Sequence, residues 1–138
     1  MKQKLSGEHD FAAIPGGMPG VEDRAVLVYT YGVVPGRISL SQMCRLLSEN
    51  PAKLYGLYPR KGRIEAGGDA DIVVFDPTAS GVISAESEAS KSDYAPYEGF
   101  KSCGRIERVY LRGRKVIDKH EVLEAPQGIF LKRDSAIL

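Results

Sequence analysis

The clearest periodicity lies just after Ser39, where Leu40, Met43, Cys44 and Leu47 fall at i, i+3, i+4 and i+7 and mark one apolar face of a helix. Ser39 and Gln42 form a Ser-x-x-Gln capping box ahead of it, which satisfies backbone N–H groups that the first turn leaves free. The pattern predicts a helix over about residues 40–49. Asn50 then reads as the cap of a second short helix, with Pro51 at its first position, where no N–H is needed, and Gly56 at its end. The run from Ala25 to Tyr31 is apolar and rich in β-branched residues. It fits a buried strand or a buried helix, and propensity leans to strand.

From Lys61 the pattern turns to β. Ile72, Val73, Val74 and Phe75 make a continuous apolar run closed by Asp76-Pro77, which predicts a strand buried on both sides. Val109 and Leu111 alternate with Tyr110 and Arg112, and Gly113 turns the chain into Lys115-Val116-Ile117, a hairpin. Residues 78–104, rich in Ser, Ala, Glu and Gly, read as loop with one short strand near Val82 and Ile83. Helices thus come first and strands second, an α+β order with a junction near residue 57. Two or three helices in the first part would bury little surface, so the chain reads as the end of something longer.

The composition narrows the function classes. The 138 residues are 43% hydrophobic and 27% charged, as in a globular domain, and a net charge of +1 supplies no field for nucleic acid or an anionic membrane. Small-molecule or protein partners fit better. Cys44 and Cys103 are too few and too far apart for a disulfide framework, which points to a reducing, cytoplasmic setting with free thiols. MKQKLSGEHD lacks an apolar segment behind its charges, and no stretch of about 18 apolar residues occurs.

Most residues with chemistry read as structural. His9 and His120 lie far apart, with no His-x-His, so no metal site is expected from this chain. His9, beside Asp10 on a polar segment, reads as a solvated loop residue, and His120 as a surface turn. No Gly-x-Ser-x-Gly elbow is present, and neither cysteine has a histidine beside it, so no catalytic residue is expected either. Cys44, on the apolar stripe, reads as a buried structural thiol, and Cys103 has no evident role. Asp69 and Asp71 read as turn formers opening a strand, Gly67-Gly68 as a turn, and Arg60, Lys61 and Arg63 as solvated or paired. Tyr29 and Tyr31 read as core rather than pocket wall. Glu22 and Asp23 suit a helix N-terminus, with Arg24 a candidate clamp on the segment before it.

That segment is IPGGMPGVEDR, residues 14–24. Gly16, Gly17 and Gly20, with Pro15 and Pro19 between them, make a loop whose backbone can approach a ligand closely. It resembles the glycine loop after the last barrel strand in dihydropyrimidinases and D-hydantoinases, cyclic-amide hydrolases of the amidohydrolase superfamily. NPAKLYGLYPRKGRIEAGGDADIVVFDP is similar to that family's junction from barrel to small β-domain, and YAPYEGF, RVYLRGRKV and GIFLKR follow in the family's order.

The resemblance implies the last helices of a TIM-like (β/α)8 metal-dependent hydrolase barrel over residues 1–56, followed by C-terminal strands of the small β-sandwich over 57–138. It also implies that the segment around residues 23–31 is helical. Gly16 and Gly17 would be the substrate-binding residues, Gly16 offering main-chain N–H and C=O to a cyclic imide. The family usually has Asn at the position of Gly16, and Met18 stands where a glycine is common. Two divalent metals, zinc by resemblance, would be held upstream of this chain, which alone would be inactive. The intact protein would act on a cyclic imide or amide, with the missing N-terminal barrel and a second copy as partners. A non-catalytic, oligomerising scaffold like the collapsin-response mediator proteins, or another amidohydrolase such as an allantoinase, are the alternatives.

Overall fold

A computed structural model describes residues 2–119, 121–123 and 128–137; His120 lies outside the described residues. The chain opens with helix α1 (Lys2–Leu5) and one 3-10 turn (Phe11–Ala13), capped by Asp10, whose side chain accepts from Ala12 N–H. Helix α2 (Arg24–Val28) runs on into a π-helical turn (Tyr29–Val33). The resemblance, not propensity, was the better guide here. A β-branched run prefers a strand in isolation, but this one lays Tyr29 edge-on to Phe75, ring centroids 4.9 Å apart, and packing overrides propensity.

Helix α3 (Leu40–Cys44) carries the full capping box, with Gln42 N–H donating to Ser39 Oγ at 3.2 Å and Ser39 N–H to Gln42 Oε1 at 2.7 Å. The expected break at Asn50 does not occur. Asn50 is helical, at φ −64° and ψ −44°, and joins a π-helical turn (Arg45–Glu49) to helix α4 (Asn50–Leu54). Proline inside a helix lacks an N–H and crowds the carbonyl four residues back. The wider π turn just before Pro51 makes room for it, with Asn50 N–H bonding to Arg45 O. Gly56, at φ +67°, ends the helix as expected. Leu57 N–H bonds to Ala52 O and Gly56 N–H to Lys53 O, the two bonds of a Schellman motif.

Four strands follow in antiparallel order: β1 (Ile72–Val82), β2 (Lys101–Leu111), β3 (Arg114–Asp118) and β4 (Glu121–Val122). The β2–β3 hairpin turns through Arg112 and Gly113, both at positive φ, as the sequence implied. Two expectations need correction. First, β1 passes through Asp76-Pro77 to Val82, and β2 begins at Lys101, so both strands extend into the presumed loop. The proline is tolerated because the register shifts between Asp76 and Ser80, a bulge that asks no ladder bond of Pro77. Second, β1 is not buried on both sides: Val73 is 56% exposed, and Val74 is exposed too.

The helices meet the sheet through α2 and its π turn against β2. Gly104, buried in β2 at φ +80°, lies under Phe75 and Tyr29, where a Cβ would come within 2.3 Å of Phe75 Cζ. Thr30 pins the same contact, its Oγ1 accepting from Cys103 N–H at 2.9 Å and lying 3.1 Å from Cys103 O. Burial is otherwise sparse, with Met43, Ala52, Ile83, Ala95 and Val116 as the deeply buried apolar residues. Cys44 is exposed, which corrects the buried-thiol reading. The apolar stripe of α3 sinks only Met43 deeply, leaving Leu40 57% exposed, because nothing among the described residues packs over the rest of it. The accessible surface is 9999 Å², against roughly 7,000 Å² for a compact monomer of this mass. Among the described residues, no helix is long and apolar enough to cross a membrane.

Candidate functional site

The glycine loop is fixed from outside. Lys4 Nζ donates to Pro15 O and, at 2.8 Å, to Gly17 O, so the clamp among the described residues is Lys4 rather than the expected Arg24, which is exposed. Gly17 at φ +77° and Gly20 at φ +117° hold conformations that side chains disfavour. At Gly16 and Gly17 a Cβ would meet nothing within 4 Å, so this stretch of backbone stands open. Gly20 instead lies against Tyr97 and Pro96, where a Cβ would come within 3.4 Å and 3.8 Å, ordinary contact distances.

Facing the loop is a wall that the sequence did not reveal. A groove of about 520 Å³ runs between Gly16, Gly17 and Met18 on one side and Ser90, Ser92 and Tyr94 on the other. The second wall belongs to the loop of residues 84–98, whose ends are closed by Ile83 N–H to Phe100 O and Gly99 N–H to Ile83 O, both 2.9 Å, and by Ala85 N–H to Glu98 at 2.8 Å. Glu22 reaches across to accept from Ala89 N–H at 3.0 Å. Serine and tyrosine in a non-periodic stretch carry no sequence signal of their own. Only the fold brings them opposite the glycines.

Asp23, expected to face a helix N-terminus, is 7% exposed and makes no side-chain cap. It meets Glu88 of the facing loop, and burial pushes both carboxyls above their usual range, the negative charge of Asp23 adding to the effect on Glu88.

The other tempting residues are committed elsewhere. Tyr29 packs on Phe75, and Tyr31 lies against Phe100, its hydroxyl donating to Lys101 O at 2.9 Å. Lys61 binds Asp69 at 2.8 Å and also Asp71, Arg60 binds Asp69 at 3.1 Å, and Arg63 binds Glu65 at 2.7 Å. The Lys61 ammonium holds the Asp69 carboxyl below the usual range, burial opposing and Arg60 assisting. Burial pulls the Lys61 pKa down, yet the two aspartates together outweigh it and leave it raised. A second hollow of about 390 Å³ beside Arg60, Gly67 and Gly68 is thus rimmed by paired charges. His9 is exposed in a turn. Among the described residues, no group of three His, Cys, Asp or Glu side chains could hold a metal ion. The described residues do not fit a binuclear metal centre.

An α-helical unit packed on an antiparallel sheet, with an open glycine loop at one edge, defines the class, and comparison with known proteins places it. The amidohydrolase family model matches residues 21–116, and the chain belongs to that family. It is similar to the D-hydantoinase of Ralstonia pickettii, 47% identical over 131 residues, which cover 94% of this chain and 28% of that protein. A solved D-hydantoinase structure superposes with a TM-score of 0.87 at 46% identity, over 95% of this chain and 29% of that one. The dihydropyrimidinase from Brevibacillus agri NCHU1002 superposes with a TM-score of 0.82 at 42% identity, over 88% of this chain and 26% of that one. The chain therefore spans between a quarter and a third of the length of these relatives.

Proposed function

We propose that this chain is the C-terminal portion of a metal-dependent cyclic amidase that hydrolyses the ring amide of hydantoins or dihydropyrimidines. Residues 1–56 close the barrel and 57–138 supply strands of the small β-sandwich. The observation that carries the reading is the open backbone at Gly16 and Gly17, in a chain similar throughout to hydantoinases. A cyclic imide presents an N–H flanked by carbonyls, and a main-chain N–H and C=O side by side match it without help from a side chain. This suits Gly16, where the family's usual Asn is missing. Lys4 holds the carbonyls on either side of Gly16, so the loop is ordered before a ring arrives. The hydrolytic metals, zinc by resemblance, belong in this reading to the upstream part, and the intact protein is a cytoplasmic homo-oligomer.

Complementation tests it. The chain is co-expressed with the upstream part of the Ralstonia pickettii D-hydantoinase, cut where the similarity begins. The pair is expected to turn over hydantoin or dihydrouracil, and neither half alone. In the pair, Gly16→Pro removes the N–H and leaves a ring carbonyl unpaired in a dry site, at a cost of about 1–3 kcal/mol, or roughly 5- to 150-fold in kcat/KM. A metal-loaded complex that assembles but leaves both substrates intact would refute the enzyme reading in favour of a scaffold. An unchanged kcat/KM in Gly16→Pro would refute the loop contact alone.

A further inference from the structure

We propose that Asp23 and Glu88 share a single proton and so form a pH-controlled latch that holds the 84–98 loop in place as the second wall of the glycine-loop groove. The inference rests on geometry and not on what occupies the groove. Asp23 precedes α2, its main-chain O accepting from Leu27 N–H at 2.8 Å, so its backbone cannot turn the side chain away cheaply. Asp23 Oδ2 and both Glu88 oxygens are closed off from water, and no N–H or O–H among the described residues reaches them. Two ionised carboxylates in this position would repel across a dry gap. One proton turns the repulsion into a hydrogen bond, with the Glu88 hydroxyl donating to Asp23.

The surroundings reinforce the requirement. The largest charge effects on Glu88, besides that of Asp23, come from Glu22 on the helix side and Glu98 at the closing end of its own loop, both acids. Lys91 and Asp93 on the same loop have contacts of their own. The neighbouring anchors, Glu22 to Ala89 N–H and Tyr97 over Gly20, need no proton. The latch is therefore the pH-dependent element of the loop's closure. Both carboxyls lie above their unfolded values, so the contribution of the pair is complete at low pH. It is lost as pH rises through the raised pKa, when the second ionisation buries an unpaired charge. Closure weakens by up to about tenfold for each pH unit between the ordinary carboxylate range and the raised pKa, and levels off above it.

Amide hydrogen exchange by NMR on the 138-residue chain tests this from pH 4 to 8, with the intrinsic pH dependence of exchange divided out. Protection of the Ala89 amide should fall by up to about tenfold per pH unit between the ordinary carboxylate range and the raised pKa and then level off, while that of Cys103, held by Thr30, stays level. Asp23→Asn should make Ala89 protection flat, because its amide donates to ionised Glu88 with no proton needed. Wild-type protection that does not change with pH, or a fall that persists in Asp23→Asn, overturns the proposal. If that variant does not fold, side-chain carboxyl 13C titration of the wild type decides. Elevated, coupled transitions at Asp23 and Glu88 support the latch, and ordinary carboxylate values at both refute it.

Discussion

The helix–sheet contact depends on one missing methyl group, and Gly104→Ala measures it. A Cβ there would lie 2.3 Å from Phe75 Cζ, 2.5 Å from Phe75 Cε1 and 3.0 Å from Tyr29 Cδ1, closer than such atoms approach. Phe75 would have to swing away from Tyr29, losing an edge-to-face pair worth about 0.5–1.5 kcal/mol. Overpacking of this kind costs a further 1–3 kcal/mol or so. The backbone adds about 1–2 kcal/mol, since φ is +80°. Gly99 helps to separate these contributions, because it has nearly the same positive φ, +79°, but a Cβ there meets nothing within 4 Å. Gly99→Ala thus carries the cost of a positive φ without a clash. In urea unfolding followed by far-UV circular dichroism, Gly104→Ala should lose about 2–4 kcal/mol more than Gly99→Ala. At a slope of about 2 kcal/mol/M, that lowers the midpoint by about 1–2 M. Equal midpoints for the two variants would show that the ring pair does not hold the helices on the sheet.

Thr30→Val, which keeps the shape and removes the hydroxyl, should cost about 1–3 kcal/mol by stranding Cys103 N–H, and Thr30→Ser should recover most of it in the same unfolding assay. At the junction, the depressed Asp69 carboxyl contributes stability that is complete above the ordinary carboxylate range and lost as pH falls through its lower folded value. Asp69→Asn should therefore flatten the acid limb of the stability curve below about pH 4, checked by thermal unfolding across pH. The isolated chain, with its large accessible surface and exposed Leu40, Leu46 and Leu54, should self-associate and bind an apolar dye. Light scattering from a monomer that takes up no dye would contradict this.

What could be read from the sequence was local chemistry. The capping box at Ser39, the glycine stop at Gly56 and the turn at Gly113 each depend on a few neighbouring residues, and each appears as expected. Burial was harder, because it depends on what covers a face. Cys44 and Val73 sit on apolar patterns that suit a covered surface, and here they are exposed. Thr30 looked like another β-branched residue in an apolar run, while its partner Cys103 lies 73 positions away. The two walls of the groove differ in the same way. Glycine spacing announced the first, and no spacing rule connects it to Ser90, Ser92 and Tyr94. The carboxyl pair was invisible for the same reason, since Asp23 and Glu88 are neighbours only once the loop folds back.

The bulge around Pro77 matters for a hazard outside the native fold. Among the described residues β1 is an edge strand, and its Ile72–Phe75 run offers an exposed template for fibre growth. Fibre-forming segments need about six or seven residues of high β-propensity with low charge and no proline. Here the uncharged stretch is bounded by Asp71 on one side and by Asp76 and Pro77 on the other, so only four residues are open to stacking. The residues that bend β1 out of register thus also act as gatekeepers. Replacing both Asp76 and Pro77 with valine would join Ile72–Phe75 to Thr78 and lengthen the window past that threshold, turning a tolerated edge into a nucleus for aggregation.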